Sequence, residues 1–187
     1  MQEFSFSSLI LYPSSLKLMQ HTISILVANE AGVLSRIVGL FSARGFNIET
    51  ICVGKTLEPA WSRCTIVTFG DDRVIEQIIK QCSRLARVRE VRAVTRLPHI
   101  EREMALIDVS VSAGSQRQEV MNLVQIFRAK VVDISHEKMI LELSGDWQKV
   151  DTFIEMLKPF QINEVTRTGC VAINRLSGIE QSLEARA

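Results

Sequence analysis

Two asparagines and one glycine are the residues of this chain whose types and spacing best suit ligand binding. Asn29 and Gly32 lie in residues 29–36 (NEAGVLSR), which follow an alternating apolar segment and open an amphipathic helix. Asparagine is a favoured helix N-cap, and glycine in a first turn leaves the helix N–H groups open to a small anion. Asn47 follows Gly45, a predicted helix C-cap. These groups suit the head group of an amino acid, and they do not suit bond-breaking chemistry.

Each of these residues also has a purely structural interpretation. Asn29 could be only a cap, and Asn47 could be only a turn residue. Gly32 is harder to explain in this way, because glycine costs roughly 1 kcal/mol relative to alanine within a helix. Together, the three residues favour a ligand site at one sheet edge.

The familiar catalytic and metal-binding patterns are absent from the sequence. There is no glycine-rich phosphate loop, no G-x-S-x-G elbow and no H-E-x-x-H motif, and the three histidines are isolated. The acidic pair Asp71-Asp72 stands at a predicted helix start, where capping is the simpler explanation. The four cysteines lack C-x-x-C spacing, which predicts buried, inert thiols in a reducing compartment; a bridge between Cys52 and Cys64 is the alternative.

Composition argues against two classes of partner. The formal net charge of +1 gives no electrostatic reason to expect a nucleic acid, and the predicted third strand has one aromatic residue, unlike RNA-binding sheets. The longest apolar runs are far shorter than a membrane span, which argues against a membrane role.

The elements that must position the asparagines occur in a pattern that is repeated along the chain. The hydrophobic periodicity predicts the order strand, helix, strand, strand, helix, strand. In the first copy, the strands are expected at 21–28, 46–53, 62–69 and 88–94, and the helices at 30–44 and from 70–72. The same order returns with strands at 104–111, 130–135, 138–143 and 161–173, and helices at 116–128 and from 145–146. The predicted fold class is therefore α+β, with two ferredoxin-like β-α-β-β-α-β sandwiches in tandem.

This pattern predicts two domains between two unpatterned ends. Residues 1–18 are expected to be a disordered extension, 19–97 the first domain, 98–176 the second domain and 177–187 a tail. The second copy has residues 113–116 (AGSQ) where the first has its asparagine and glycine. A small ligand is therefore expected on the first domain.

Two surfaces could contact a partner protein. The predicted hairpin loop that contains Glu58, Pro59 and Trp61 is too long for a tight turn, so Trp61 either packs back onto the sheet or is an exposed anchor. A basic run is either a solvated strand edge or a docking surface; it comprises Arg84, Arg87, Arg89, Arg92 and Arg96.

These motifs resemble the family of small, regulatory subunits of acetolactate synthase (acetohydroxyacid synthase). The two most specific matches are residues 29–36 and 39–49 (GLFSARGFNIE). Shorter matches are Glu58-Pro59 with Ser62-Arg63, Glu76-Gln77-Ile78 with Lys80-Gln81, Glu101-Arg102-Glu103, Ile126-Phe127-Arg128, Val131-Val132-Asp133, and Glu164-Val165 with Arg167-Thr168-Gly169. The resemblance covers residues 20 to about 176. The chain departs from it at Gly54-Lys55, where Ala-Pro is frequent, and at Trp61, where a small or aliphatic residue is usual.

The resemblance implies that the first domain is an ACT domain. Such subunits activate a separate catalytic (large) subunit that carries thiamine diphosphate and Mg, bind no cofactor themselves, and confer feedback inhibition by a branched-chain amino acid, commonly valine. A homodimer through the ACT domain, in a bacterial cytoplasm or a plastid stroma, is expected. The alternative is a free-standing ACT-type amino-acid sensor that acts on another enzyme or regulator.

The resemblance also implies where ligand and partner bind. The effector is expected at the dimer interface, which is formed by sheet edges or helices of the ACT domain. Its carboxylate is expected near Gly32, its ammonium near Asn29 and Asn47, and its side chain in a pocket. The residues expected to line that pocket are Val33, Leu34 and Ile48. The partner loop is expected to present Glu58, Pro59, Trp61 and Arg63.

Overall fold

The computed structural model describes residues 19–112 and 114–176, so the predicted extension (1–18) and tail (177–187) lie outside the described residues. The first half contains β1 (Met19–Ala28), α1 (Val33–Ala43), β2 (Thr50–Lys55), β3 (Trp61–Gly70), α2 (Asp72–Cys82) and β4 (Val88–Ala93), followed by a 3-10 turn (Val94–Arg96). The second half contains β5 (His99–Ser110), α3 (Ser115–Phe127), β6 (Lys130–Ile134), β7 (Lys138–Gly145), α4 (Trp147–Leu157), β8 (Gln161–Arg167) and β9 (Val171–Asn174).

The first-half strands form one antiparallel sheet in the order β2-β3-β1-β4. Alternate side chains of a strand point to opposite faces, so Ile23 and Ile25 of β1 lie on one face, where both are fully buried. Ile37 and Phe41 of α1 and Ile78 of α2 belong to the same core. We call β1–β4 with α1 and α2 the N-terminal sandwich.

The second half repeats this arrangement. Its sheet has the order β6-β7-β5-β8, and its core contains Ile107, Leu141, Val120 and Phe153. We call β5–β8 with α3 and α4 the C-terminal sandwich. The predicted fold class, two ferredoxin-like sandwiches in tandem, is confirmed.

Two predicted helix starts are also confirmed. The Asp71 carboxylate accepts a hydrogen bond from the Val74 N–H at 2.8 Å, and the Asp146 carboxylate accepts one from the Lys149 N–H at 2.8 Å. Each aspartate is therefore an N-cap, which confirms capping as the explanation of the Asp71-Asp72 pair. The described part of the chain contains no helix that is long and apolar enough to span a membrane.

The structure departs from the predicted strands at the end of the second copy. The predicted strand 161–173 is two strands, because Gly169 has a φ of +74° and turns the chain between β8 and β9. β9 pairs with the first four residues of β5, which begins at His99 instead of 104. β9 and the start of β5 therefore form a two-stranded ribbon outside the predicted pattern.

The C-terminal half covers the face of the N-terminal sheet that points away from α1 and α2. Thr22 and Ser24 of β1 lie on that face and are buried although they are polar. The Thr22 hydroxyl donates a hydrogen bond to the Glu101 carboxylate at 2.5 Å, and the Asn174 amide donates one to the Val94 carbonyl at 3.2 Å. The two sandwiches therefore share a polar contact surface.

The four cysteines are free thiols. Burial raises the pKa of Cys64 to about 12, the pKa of Cys82 to about 11 and the pKa of Cys170 to about 12. Since only the thiolate is a strong nucleophile, these three side chains are unreactive at neutral pH. Cys52 and Cys64 lie on the neighbouring strands β2 and β3 and are not bridged.

Candidate functional site

The start of α1 differs from its predicted form. Gly32 is the N-cap, with φ +82° and ψ −10°, so the helix begins at Val33 instead of residue 30. Asn29 is therefore not the cap, and this expectation was wrong. Its side-chain amide donates to the Pro59 carbonyl at 3.3 Å, and its backbone N–H donates to the Ala60 carbonyl at 2.8 Å. Asn29 thus joins the start of α1 to the loop between β2 and β3.

The first turn of α1 keeps free hydrogen-bond donors. Within the described chain, no side chain caps this helix, and the N–H groups of Leu34 and Ser35 have no acceptor. The starts of α2 and α4 differ, because an aspartate occupies each of them. Two free N–H groups at the positive end of a helix dipole can hold a carboxylate. α3 also begins at a glycine, Gly114, but no asparagine accompanies it.

Asn47 lies beyond the other end of α1. Its side-chain amide donates to the Glu49 carboxylate at 3.0 Å, and its carbonyl accepts a hydrogen bond from the Thr68 hydroxyl at 2.6 Å. Asn47 is exposed, whereas the following Ile48 is half-buried against the core. Its amide is therefore accessible at the point where the chain enters β2.

One chain does not bring Asn29 and Asn47 together. Asn29 bonds to Ala60, just before β3, whereas Asn47 accepts from Thr68, near the end of β3. At about 3.3 Å per residue, these two ends of β3 are more than 20 Å apart. A ligand that contacts both asparagines therefore requires a second copy of the chain.

The predicted apolar pocket residues have different environments. Val33 is buried in the core of the N-terminal sandwich, so its side chain is not available to a ligand. Leu34 is exposed, as are Val38 on α1 and Val53 on β2. Leu34 and Ile48 therefore remain accessible as ligand contacts, whereas Val33 packs in the core beneath α1.

The loop between β2 and β3 is held by contacts on several sides. The Thr56 N–H donates to the Trp61 carbonyl at 3.2 Å, and the Trp61 N–H donates to the Glu58 carbonyl at 2.9 Å. Arg89 forms an ion pair with Glu58 at 3.0 Å, and its guanidinium carbon lies 5.2 Å from the centre of the Trp61 ring. Trp61 is half-buried beneath Arg89 rather than being a bare anchor.

Two further observations change the predicted partner surface. Arg63 lies on β3, where its guanidinium donates to the Ser24 hydroxyl at 3.3 Å and pairs with Glu90 at 3.5 Å. It is occupied within the chain. Leu57, which the sequence reasoning missed, is fully exposed in the loop. The signal was available in the sequence, as a leucine between polar residues in a predicted hairpin loop.

Glutamates neutralise most of the basic run. The pairs are Arg87 with Glu30, Arg89 with Glu58, Arg92 with Glu90, and Arg96 with Glu76. Three of these glutamates come from distant parts of the sequence. The run is therefore a paired, solvated edge, which is the simpler of its two interpretations. In the described ranges, no group of three or more acidic, histidine or cysteine side chains could hold a metal ion.

Comparisons with known proteins place these features in a family context. A family model described as the small subunit of acetolactate synthase matches residues 102–176, and one described as an AHAS small subunit-like ACT domain matches residues 23–90. The chain is 46% identical over 162 residues to the acetolactate synthase small subunit of Aquifex aeolicus, which covers 87% of this chain and 84% of that protein.

Two further similar proteins are also acetolactate synthase small subunits. Acetolactate synthase small subunit 2, chloroplastic, of Arabidopsis thaliana is 40% identical over 159 residues, which is 85% of this chain and 33% of that protein. The crystal structure of the acetolactate synthase small subunit from Thermotoga maritima superposes with a TM-score of 0.78 at 44% identity, over 84% of this chain and 98% of that one.

Proposed function

Because the chain belongs to the family of acetolactate synthase small subunits, we propose that it activates the catalytic subunit of that enzyme and makes it sensitive to feedback inhibition. The family that the sequence motifs resemble is thus confirmed. The proposed effector is a branched-chain amino acid, with valine preferred, within valine, leucine and isoleucine biosynthesis.

The uncapped start of α1 is the observation that carries this proposal. An amino-acid carboxylate bonded to the N–H groups of Leu34 and Ser35 complements the helix dipole. Gly32 places no side chain in its way, and a Cβ added there would have no atom within 4 Å. The amide oxygen of Asn29 can accept from the effector ammonium while its nitrogen remains bonded to Pro59.

A homodimer completes the proposed site. β2 is an edge strand that pairs only with β3 in the described chain. Antiparallel pairing of two β2 edges about a two-fold axis sets the Thr50 end of one strand beside the Lys55 end of its partner. Asn47 of one copy then approaches Asn29 and Gly32 of the other. This arrangement reconciles the distance between the asparagines with a shared ligand.

Charge at the β2 edge tests the dimer. Replacing Val53, which is exposed on β2, by lysine sets two like charges across the proposed two-fold axis. We expect the variant to lose about 3 kcal/mol of dimerisation free energy. This loss raises the dimer dissociation constant, measured by sedimentation equilibrium, about a hundredfold. The control is Val132→Lys, a similarly exposed valine on the edge strand β6 of the other sheet. A Val53→Lys protein that dimerises as tightly as wild type contradicts the arrangement.

In this proposal, the cofactors belong to the partner. The catalytic subunit carries thiamine diphosphate and Mg, and this chain binds neither. The proposed location is the cytoplasm of a bacterium or the stroma of a plastid. It is supported by relatives from Aquifex aeolicus and from a chloroplast.

We propose the loop between β2 and β3 as a contact with the catalytic subunit, with Leu57 as its apolar anchor. Leu57→Asp should weaken this association about tenfold in a titration of catalytic activity, because an apolar contact is replaced by a buried charge. The fold should be unaffected, since the side chain is fully exposed. Leu176→Asp, at another strongly exposed leucine outside the loop, is the control. If the Leu57→Asp protein activates the catalytic subunit at the same concentrations as wild type, Leu57 does not belong to the interface.

Reconstitution tests the proposed function directly. The purified chain should form no acetolactate from pyruvate, should raise the turnover of its cognate catalytic subunit, and should make that turnover sensitive to valine, leucine or isoleucine. Acetolactate formation by the chain alone would refute a regulatory role. Binding of a branched-chain amino acid without any effect on the catalytic subunit would favour a free-standing sensor.

A further inference from the structure

The C-terminal half contacts the N-terminal sheet at the start of β2 as well as at β1. Gly169, in the turn between β8 and β9, lies against this strand. A Cβ built on it would be 3.4 Å from the Ile51 carbonyl oxygen and 3.5 Å from the Thr50 Cβ. The Thr50 hydroxyl is buried without a partner in the described chain. The turn thus lies within van der Waals reach of β2, and its φ of +74° is one that an ordinary side chain rarely adopts.

The same short segment begins at the proposed effector site. Residues 47–51 run from Asn47, through Glu49, to the two residues that Gly169 contacts. The Glu49 carboxylate accepts the hydrogen bond of the Asn47 amide, and the Glu49 N–H donates to the Val67 carbonyl at 2.9 Å. A displacement of Asn47 therefore reaches the residues that Gly169 contacts within three or four residues of chain.

A cleft beside this contact gives the two sandwiches room to move. It has a volume of about 680 Å³. Glu49, Thr50 and Phe69 line it from the N-terminal sandwich, and Trp147, Arg167 and Thr168 line it from the C-terminal half. Gly169 lies close to β2, whereas the space next to it is open. Small changes at β2 can therefore alter the angle between the sandwiches without a clash.

We propose that residues 47–51 transmit effector occupancy to the C-terminal sandwich, with Gly169 as the positioning residue that receives it. The proposal rests on the proposed function above. An effector ammonium that binds at Asn47 also attracts the Glu49 carboxylate, which the Asn47 amide holds at 3.0 Å. The displaced carboxylate and the shifted start of β2 then change the packing of Gly169 and the width of the cleft. The C-terminal sandwich reads the effector site through this contact, although it holds none of the effector ligands.

Uncoupling of binding from inhibition is the expected signature. In the complex with the catalytic subunit, Gly169→Ala should raise the valine concentration for half-inhibition about tenfold or more. Valine should bind the variant within about threefold of the wild-type Kd by calorimetry, because Gly169 contacts Thr50 and Ile51 and none of the proposed effector ligands. Gly114→Ala is the matched control, since Gly114 also has a positive φ in the second half, but its Cβ would have no atom within 4 Å.

Glu49→Gln provides a second test without backbone strain. Glutamine keeps the shape of Glu49 and an acceptor for the Asn47 amide, but it removes the charge at the cleft. It should show the same signature, whereas Glu76→Gln, at an exposed glutamate of α2, should behave as wild type. If Gly169→Ala does not fold, the Glu49→Gln variant alone tests the proposed transmission.

The outcomes separate the inference from the function on which it rests. Folded Gly169→Ala and Glu49→Gln proteins that are inhibited at wild-type valine concentrations overturn the inference. The inference is also overturned if these variants lose valine affinity to the same extent as they lose inhibition, because Gly169 and Glu49 would then only maintain the structure of the effector site. A wild-type complex that no branched-chain amino acid inhibits refutes the proposed function instead.

Discussion

Gly32→Asp is expected to abolish feedback inhibition while activation of the catalytic subunit persists. The new carboxylate would occupy the space of the effector carboxylate and accept from the same N–H groups of Leu34 and Ser35. Two like charges a few ångströms apart repel by roughly 4 kcal/mol at an effective dielectric near 20, which is about a thousandfold in affinity. Valine binding by calorimetry and inhibition of the reconstituted complex measure the effect.

The backbone at Gly32 sets the cost of this variant and supplies its control. The φ of +82° costs an ordinary side chain about 1 kcal/mol, although aspartate and asparagine adopt it more readily than most residues. Open space around the position should allow the protein to fold. Gly32→Asn has the same shape without the charge, so it should weaken binding far less. Unaltered valine inhibition in a folded Gly32→Asp protein would show that the effector binds elsewhere.

Local features of the chain could be predicted from the sequence. Asp71 and Asp146 are each followed by an amphipathic helix, and a cap forms with an N–H only three residues away. Gly45 has a φ of +68° just beyond α1, as expected for a glycine that ends a helix. Alternating apolar residues likewise indicated β1 and its buried face. In each case the interacting groups are close in sequence.

The features that sequence reasoning missed depend on distant residues. Asn29 looked like a cap, but the positive φ of Gly32 moves the helix start forward, and Asn29 bonds instead to Pro59, thirty residues away. The solvated edge formed by the basic run was one of its two predicted interpretations, but its partners Glu30, Glu58 and Glu76 could not be named, because they are not its neighbours in sequence. The ribbon of β5 and β9 has the same origin. No local pattern shows that His99–Arg102 pairs with β9.

The separation of the asparagines is the most consequential of these differences. The sequence places Asn29 and Asn47 within twenty residues, which favoured one site at one sheet edge. An α-helix of eleven residues lies between them and spans about 16 Å, so they lie at opposite ends of the sheet. Helix length thus makes a two-chain site the consistent interpretation. The same residues remain candidates, but their proposed partners belong to another copy.

A largely buried ion pair lies beside the cleft between the two sandwiches. Glu103 of β5 has a side chain only 3% exposed, and Arg167 of β8 pairs with it and also with Asp151 at 2.6 Å. Burial lowers the pKa of Arg167, but its hydrogen bonds to Asp151 and Glu103 outweigh this effect and raise the pKa overall. The guanidinium therefore stays charged. Arg167 is therefore the counter-ion of a carboxylate that water barely reaches.

Arg167→Met should lower the free energy of unfolding by about 3 kcal/mol, because it leaves the Glu103 carboxylate buried without its partner. Urea denaturation followed by circular dichroism measures the change. Lys158→Met, which breaks the exposed pair with Glu155, should cost less than about 1 kcal/mol. The double variant Glu103→Leu, Arg167→Met should recover much of the loss, since no uncompensated charge remains. An Arg167→Met protein as stable as the Lys158→Met control would mean that water, rather than Arg167, solvates Glu103, and that the cleft is more open in solution than these contacts indicate.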